Sequence, residues 1–198
     1  MPLDLRDAMS NKAIKAKAEE LLSFGMPKQL VFDNLLLQFP EAKPKKVAEV
    51  VRYMPSLLAR ERYRAMHLTL LGLIVASAVL RLARPLLNGS IGPDQATAYL
   101  SLVPIATLLM GYSMYRWQGE VFGWVGWGNA LGAFGLLNDL SQFVKDGGDL
   151  WPLSGRILSV SIGGVALYLA YRVFTKPKME KDPMSGAERV VFREEHTI

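Results

Sequence analysis

Three charged residues lie within or at the edge of long apolar stretches of this chain, where charged side chains are rare. Arg81 and Arg156 lie inside two of these stretches, and Asp139 follows a third. A carboxylate between two guanidinium groups would neutralise much of the charge and could accept bidentate hydrogen bonds. We therefore expect the three side chains to meet, either as a tether between helices or as a binding site for an anionic ligand or lipid headgroup. The remaining alternative is that each side chain reaches water separately.

The residue types that most enzymes need for nucleophilic or metal chemistry are scarce in this chain. It has no cysteine and two histidines, His67 and His196, which lie far apart in the sequence. A thiolate site, a histidine-based metal site and a Ser/His pair in the apolar part would each lack components. We therefore expect no catalytic residues, no bound metal and no cofactor, and we do not expect an enzyme.

The apolar stretches predict an all-α integral membrane protein. A helix needs about 20 mostly apolar residues to cross the hydrocarbon layer of a bilayer. Four stretches of the sequence meet this requirement and predict a four-helix bundle: 65–87, 96–115, 119–138 and 151–174. A small helical module at 1–64 would precede the bundle. The tail at 175–198 alternates charges and contains Pro177 and Pro183, which predicts disorder, or a short segment that becomes ordered on a partner.

Small residues recur at helical spacing in the third and fourth predicted spans. Helices without Cβ bulk can approach closely, and dispersion is the main attraction between helices in lipid. We predict that these two spans pack together, with self-association of two chains as the alternative. Asn129, an amide near the middle of a span, is expected to hydrogen-bond another helix. The predicted packing residues are Gly119, Gly123, Gly126, Gly128, Gly132, Gly155, Ser159 and Gly163.

Residues 12–53 are predicted to form three short helices. Gly25 is placed as a C-terminal cap, Pro27 lies in a first turn, and the third helix starts after Pro44. This order of helix, Gly-Met turn, helix, loop and helix resembles ubiquitin-associated-type three-helix modules over less than a quarter of the chain. We interpret the segment as a small helical cap on a membrane bundle. Its predicted core residues are Leu21, Leu22, Leu30, Val31, Leu35, Val47 and Val50.

A module of about 42 residues is near the lower size limit for independent folding. We therefore expect it to depend on the membrane, on a partner or on the helix that follows.

The distribution of positive charges predicts how the chain is oriented. With the N-terminus inside, more Lys and Arg flank the inner ends of the predicted spans than the outer ends. Both termini are therefore expected in the cytoplasm, and the bacterial inner membrane is the expected location. Arg60, Arg62 and Arg64 are expected to contact anionic lipid headgroups. A nucleic-acid partner is not expected, because neighbouring acidic residues dilute the basic field.

Two classes of function remain open from the sequence. The first is a non-catalytic membrane protein that acts through protein–protein interaction, with a protein partner or a second copy of itself. An assembly factor, a regulatory subunit and an immunity protein against a membrane-acting toxin all belong to this class. The alternative is a small oligomeric transporter or channel subunit that uses Asn129 and the charged residues Arg81, Asp139 and Arg156.

Overall fold

The computed structural model describes residues 5–87, 105–146, 150–181 and 188–192. These residues are mostly helical, which confirms the all-α class, and one short β-hairpin is added. The chain divides into two compact units: residues 1–64 together with 171–198, and residues 65–170. The described helices are α1 (Leu5–Ser23), α2 (Lys28–Gln38), α3 (Pro44–Arg52), α4 (Leu57–Arg62), α5 (Arg64–Leu87), α6 (Ile105–Tyr115), α7 (Gly119–Ala130), α8 (Ala133–Asp146) and α9 (Leu150–Val173). The described strands are β1 (Lys178–Lys181) and β2 (Glu188–Val191).

Local signals end and begin the helices of the first unit. Gly25 has a φ of 81°, and its N–H and that of Met26 donate to the carbonyls of Leu22 and Leu21. This is a Schellman cap, which needs a left-handed residue where α1 ends. Helix α3 begins with Pro44, whose fixed φ and missing N–H suit the first helical position.

The core of the first unit is built from one face of each of the three helices. Leu22, Val31, Leu35 and Val47 are buried in it as predicted, while Leu21 and Val50 pack against it half-buried. The prediction for Leu30 is wrong, because 53% of this residue is exposed. The buried set is Ile14, Ala18, Leu22, Val31, Phe32, Leu35, Val47, Ala48, Val51, Met54, Val190 and Phe192.

The predicted disorder of the tail is wrong for β1, β2 and Phe192. The two strands pair in antiparallel register, with Lys178 opposite Val191. Val190 and Phe192 are two positions apart and therefore share one face of the chain, which enters the core. The Phe192 ring lies 5.7 Å from the ring of Phe32. Burial of these two apolar residues explains why a segment with so many charges is ordered.

The side chain of Gln29 forms hydrogen bonds with the unpaired edge of the hairpin at Val190 and Phe192. Its Oε1 accepts a hydrogen bond from the N–H of Phe192 at 2.9 Å, and its Nε2 donates to the carbonyl of Val190 at 3.3 Å. A side-chain amide thus satisfies backbone groups that an edge strand leaves unpaired.

Two cations satisfy the last carbonyls after α9. The buried Nζ of Lys28 donates to the carbonyl of Val173 at 2.9 Å, and Nε of Arg52 donates to the carbonyl of Phe174 at 3.3 Å. Positive charge is favourable at the C-terminal end of a helix, where carbonyls have no partner within the helix.

The second unit contains two helices long and apolar enough to cross a membrane within the described residues: Arg64–Ala83 of α5, and α9. They coincide with the first and fourth predicted spans. Of the second predicted span, 96–115, the structure describes the short apolar helix α6, and residues 96–104 lie outside the described residues. The described part of the chain is therefore helical with two candidate spans.

The third predicted span, 119–138, is not one helix. It is interrupted at Leu131 and Gly132, so α7 is about 18 Å long and α8 about 21 Å, each short of a 30 Å hydrocarbon layer. Within this turn the N–H of Gly132 donates to the carbonyl of Asn129 at 3.0 Å. The two residues are three positions apart, as in a 3₁₀-helix, whereas an α-helix bonds residues four positions apart. The glycine is a poor helix former, and here it ends α7.

Candidate functional site

Helix α9 packs closely against α7 through two of the predicted glycines. A Cβ atom added at Gly163 would lie 2.7 Å from the backbone nitrogen of Ala130 and 3.1 Å from the carbonyl oxygen of Gly126. A Cβ atom added at Gly126 would lie 2.7 Å from Cγ of Leu167. Residue numbers fall along α9 as they rise along α7, so the two helices run antiparallel. Backbone contact at this distance requires glycine at Gly163, and a Cβ atom at Gly126 would force the Leu167 side chain to shift.

The other predicted packing residues have different surroundings. A Cβ atom at Gly123 or Gly128 would meet no described heavy atom within 4 Å, and Gly119 is buried. Gly155 faces α5, where its Cβ would lie 3.9 Å from Leu80. The predicted packing residues therefore contact another helix only in part, and the remaining two, Gly132 and Ser159, belong to a polar contact.

Asn129 and Ser159 join α7 to α9 at the point where α7 ends. The Ser159 hydroxyl donates to Oδ1 of Asn129 at 2.9 Å, and Nδ2 of Asn129 donates to the carbonyl of Val125 at 2.8 Å. A Cβ atom at Gly132 would lie 3.3 Å from the Ser159 hydroxyl oxygen. The glycine at the break thus leaves room for this hydroxyl, and the predicted interhelical bond of Asn129 is present.

Arg156 and Asp139 form an ion pair next to this contact. Nε of Arg156 donates to Oδ2 of Asp139 at 3.0 Å, and 17% of the Asp139 side chain and 41% of the Arg156 side chain are exposed. A Cβ atom at Gly135 would lie 2.7 Å from Cζ of Arg156, so the guanidinium lies on bare backbone. Gly135 and Asp139 are four residues apart and share one face of α8. We call Asn129, Asp139, Arg156 and Ser159 the helix-break site.

Arg81 is not part of the helix-break site. It is exposed and forms no ion pair with Asp139 among the described residues. The predicted cluster of three charges is therefore wrong, and a pair is present instead. One carboxylate is already neutralised by Arg156, and Arg81 lies two residues from the end of the candidate span, where a long side chain can extend towards water.

A second polar contact joins α5 to the C-terminal end of α6, and sequence reasoning missed it. Nε2 of the buried His67 donates to the carbonyl of Met114 at 3.0 Å, since a carbonyl can only accept. The Trp117 ring lies 4.0 Å from the His67 ring and 6.0 Å from that of Phe122. Trp117 has a φ of 56°, a conformation that glycine usually adopts at a helix end. The ring contacts offset this backbone strain.

The three arginines predicted to contact lipid lie at and after α4. Ser56 caps this helix by accepting a hydrogen bond from the N–H of Ala59 at 3.1 Å. Arg60, Arg62 and Arg64 are all exposed, and so are Leu57 and Leu58 at the start of the helix. The segment therefore presents both apolar and basic side chains to its surroundings.

The helix-break site offers hydrogen-bond donors to an anion. Arginine has five N–H donors, and the contact with Asp139 uses one of those of Arg156. In the described ranges, no group of three or more His, Asp or Glu side chains could hold a metal ion. No protein-family model, curated protein or solved structure matches this chain.

Proposed function

We propose that this chain is an integral membrane protein that acts through protein–protein interaction and has no catalytic activity. The membrane part of the proposal is supported by the exposed apolar surfaces of α5 and α9. In their most apolar windows, 22% of the α5 residues and 28% of the α9 residues are buried. The core helix of a water-soluble domain would be mostly buried, because exposing a full apolar helix to water is unfavourable. Lipid is the solvent that suits these two helices.

The first unit supports a topology with both chain ends on one side. Residues 28–35 of α2 and residues 190–192 share a core, so these two parts of the chain lie in the same compartment. The number of crossings between them is then even, as it is for α5 and α9 alone or for four spans. The exposed Arg60, Arg62 and Arg64 favour the cytoplasm for that side, as the bacterial inner membrane would provide.

The observation that carries the interaction proposal is a pair of exposed leucines on one side of α2 in the first unit, outside the candidate spans. Leu30 and Leu37 are seven residues apart on α2, and 82% of Leu37 is exposed. They lie on the side of α2 away from its core residues Val31 and Leu35, and two turns of helix separate them. Exposed leucines on a water-facing module indicate a contact surface for a protein. The occupant is a second protein or a second copy of this chain.

The absence of cysteine allows a clean test of the membrane topology. Single cysteines are introduced at three exposed positions, Lys15→Cys in α1, Lys145→Cys in α8 and Lys181→Cys in β1. Intact cells are then treated with a membrane-impermeant maleimide. We expect labelling at 145 from outside, and labelling at 15 and 181 only after lysis. Extraction of the chain by alkaline carbonate would refute the topology. Labelling of only one of positions 15 and 181 in intact cells would also refute it.

The interaction is tested by native mass measurement of the full chain in neutral detergent. The double variant Leu30→Gln, Leu37→Gln removes both exposed leucines and should lower the bound fraction of the partner or the second copy. The matched control, Leu57→Gln with Leu58→Gln, alters two exposed leucines of α4 and should retain that fraction. Equal binding by the two double variants would argue against the α2 face.

Transport is the second candidate function, and the interrupted helix favours it. Broken helices with polar side chains line the substrate sites of many transporters. Here the break at Leu131 and Gly132 lies beside the Asn129–Ser159 bond and the Arg156–Asp139 pair. A flux assay in liposomes separates the two candidates. Flux that changes on Asp139→Asn, with normal folding yield, would replace the interaction proposal by transport.

A further inference from the structure

A cavity of about 230 Å³ lies in the first unit between α3 and the hairpin. Lys45, Glu49 and Arg52 of α3 line it together with Lys176, which precedes β1. The α3 residues are three and four positions apart and so share one face of the helix. The buried residues Ala48 and Val190 supply apolar surface.

The cavity has an excess of positive charge: three cations against the single carboxylate of Glu49. Lys45 and Lys176 form no ion pair in the part of the chain that the structure describes. Their ammonium groups are thus available to a ligand. The apolar surface beside them lowers the local dielectric constant, which strengthens their attraction for an anion.

Arg52 is held in place before any ligand arrives. Its Nε donates to the carbonyl of Phe174, and its guanidinium carbon lies 4.8 Å from the centre of the Tyr53 ring. The terminal N–H groups of a fixed guanidinium match the oxygen spacing of a phosphate. A ligand that binds here does not have to order this side chain, which favours affinity.

We propose that this cavity binds a phosphate ester whose alcohol part carries a hydroxyl group. Arg52, Lys45 and Lys176 hold the phosphate oxygens. Glu49 accepts a hydrogen bond from the hydroxyl of the alcohol part. Two sources share this chemistry: the headgroup of an anionic glycerophospholipid, and a soluble phosphate ester such as glycerol phosphate.

The lipid source rests on the proposed membrane location. Lys176 follows the end of α9 at Val173 by three residues, which reach at most about 11 Å when extended. The headgroup layer beside each face of the hydrocarbon is roughly 5–8 Å thick. Lys176 would then lie within reach of headgroups. The soluble source requires only the cavity.

The test is calorimetric titration of the full chain in neutral detergent with three probes. These are sn-glycerol 3-phosphate, dihexanoyl phosphatidylglycerol, and dihexanoyl phosphatidylcholine, which has no net charge. The variant Lys45→Gln with Lys176→Gln removes two exposed cations of the cavity and should weaken binding of the anionic probes about tenfold or more.

The control variant is Lys43→Gln with Lys178→Gln, which loses the same charge from the same segments. Lys178 lies next to Met179 in β1, and successive side chains of a strand point to opposite faces. Met179 lines the cavity, so Lys178 faces away from it. We expect the control to bind the anionic probes within about twofold of the unmodified chain, since general surface attraction is small and screened.

The proposal is supported when Lys45→Gln with Lys176→Gln weakens binding of the anionic probes and the control variant does not. Binding of phosphatidylglycerol alone assigns the lipid source, and binding of glycerol phosphate as well assigns the phosphate ester itself. The proposal is overturned when neither anionic probe binds, or when the two variants weaken binding equally. Glycerol phosphate binding by a chain that does not reside in membranes would refute the proposed membrane function and leave the cavity assignment standing.

Discussion

The close approach of α9 to α7 predicts opposite outcomes for two neighbouring substitutions, Gly163→Ala and Gly164→Ala. The two glycines lie side by side in the middle of α9. A Cβ atom at Gly163 meets backbone atoms of α7, whereas a Cβ atom at Gly164 meets nothing within 4 Å. The pair therefore separates the effect of interhelical contact from every effect of alanine on the helix itself.

The loss of stability expected for Gly163→Ala follows from the distances between the added Cβ atom and the backbone of α7. The new Cβ at Gly163 would lie 2.7 Å from the backbone nitrogen of Ala130, and ordinary contact begins at 3.4 Å. Backbone cannot rotate away, so α9 has to move out by about 0.7 Å, and such a gap removes a quarter to a half of each dispersion contact nearby. Overpacking of this kind costs about 1–3 kcal/mol.

Both variants gain the same helix propensity, about 0.8–1.0 kcal/mol in water. That gain cancels in the comparison, so Gly163→Ala should be less stable than Gly164→Ala by about 1–3 kcal/mol. Gly164→Ala itself should be as stable as the unmodified chain or slightly more stable.

The assay is unfolding of the full chain by dodecyl sulfate in mixed micelles, followed by circular dichroism. The free energies of unfolding of the two variants are compared at the same detergent fraction. Equal free energies would show that α7 and α9 do not touch at Gly163, and the antiparallel packing described above would have to be abandoned.

Two further substitutions test the first unit and the helix-break site. Phe192→Ala removes a ring that is 4% exposed and leaves a cavity in the core, so it should destabilise the first unit by about 3–5 kcal/mol. The loss of stability is measured as faster limited proteolysis of α1–α3. Phe24→Ala, the control, alters a residue that is 78% exposed and should change stability by no more than about 0.5 kcal/mol. Asp139→Asn should lower the folding yield in detergent and cost about 1 kcal/mol, which is less than a fully buried charged hydrogen bond contributes because Arg156 is partly exposed. An unchanged yield would mean that the pair does not hold α8 to α9.

The helices of the first unit could be predicted because their signals are local. Gly25 and Pro44 each act on the backbone within a few residues, and the structure uses both as the sequence indicates. The hairpin could not be predicted in this way. Val190 and Phe192 are ordered by contacts with Gln29, which is more than 160 positions away along the chain. A short segment with many charges gives no local sign of such a contact.

The interrupted third span shows a different limit. Residues 119–138 have the composition of one continuous membrane helix, and glycine is common in such helices. Composition therefore predicts that the segment is apolar, but it does not place the turn at Gly132. The spacing of Gly135 and Asp139 was a usable signal, since the two share a helix face on which a guanidinium can lie.

An ion pair between Arg156 and Asp139 was predictable from chemistry, whereas the absence of Arg81 from it was not. A charge in an apolar stretch needs a partner, and that requirement holds wherever the helix lies. Arg81 also lies in an apolar stretch and needs a partner for its charge by the same argument. In the structure it is exposed and does not pair with Asp139. Which of two arginines reaches a single carboxylate depends on helix rotation, which the sequence does not specify.

The small size of the N-terminal helical module and the topology of the chain are linked by the hairpin. Three helices of this length bury too little surface to fold securely alone, and Phe192 closes their core against Phe32. In the proposed membrane topology, the polypeptide between α4 and the end of α9 therefore has to return to the compartment from which it left. A topology with an odd number of crossings would separate Phe192 from Phe32 and expose both rings to water. The stability of the module and the even number of crossings in the proposed topology thus depend on the same contact between Phe192 and Phe32.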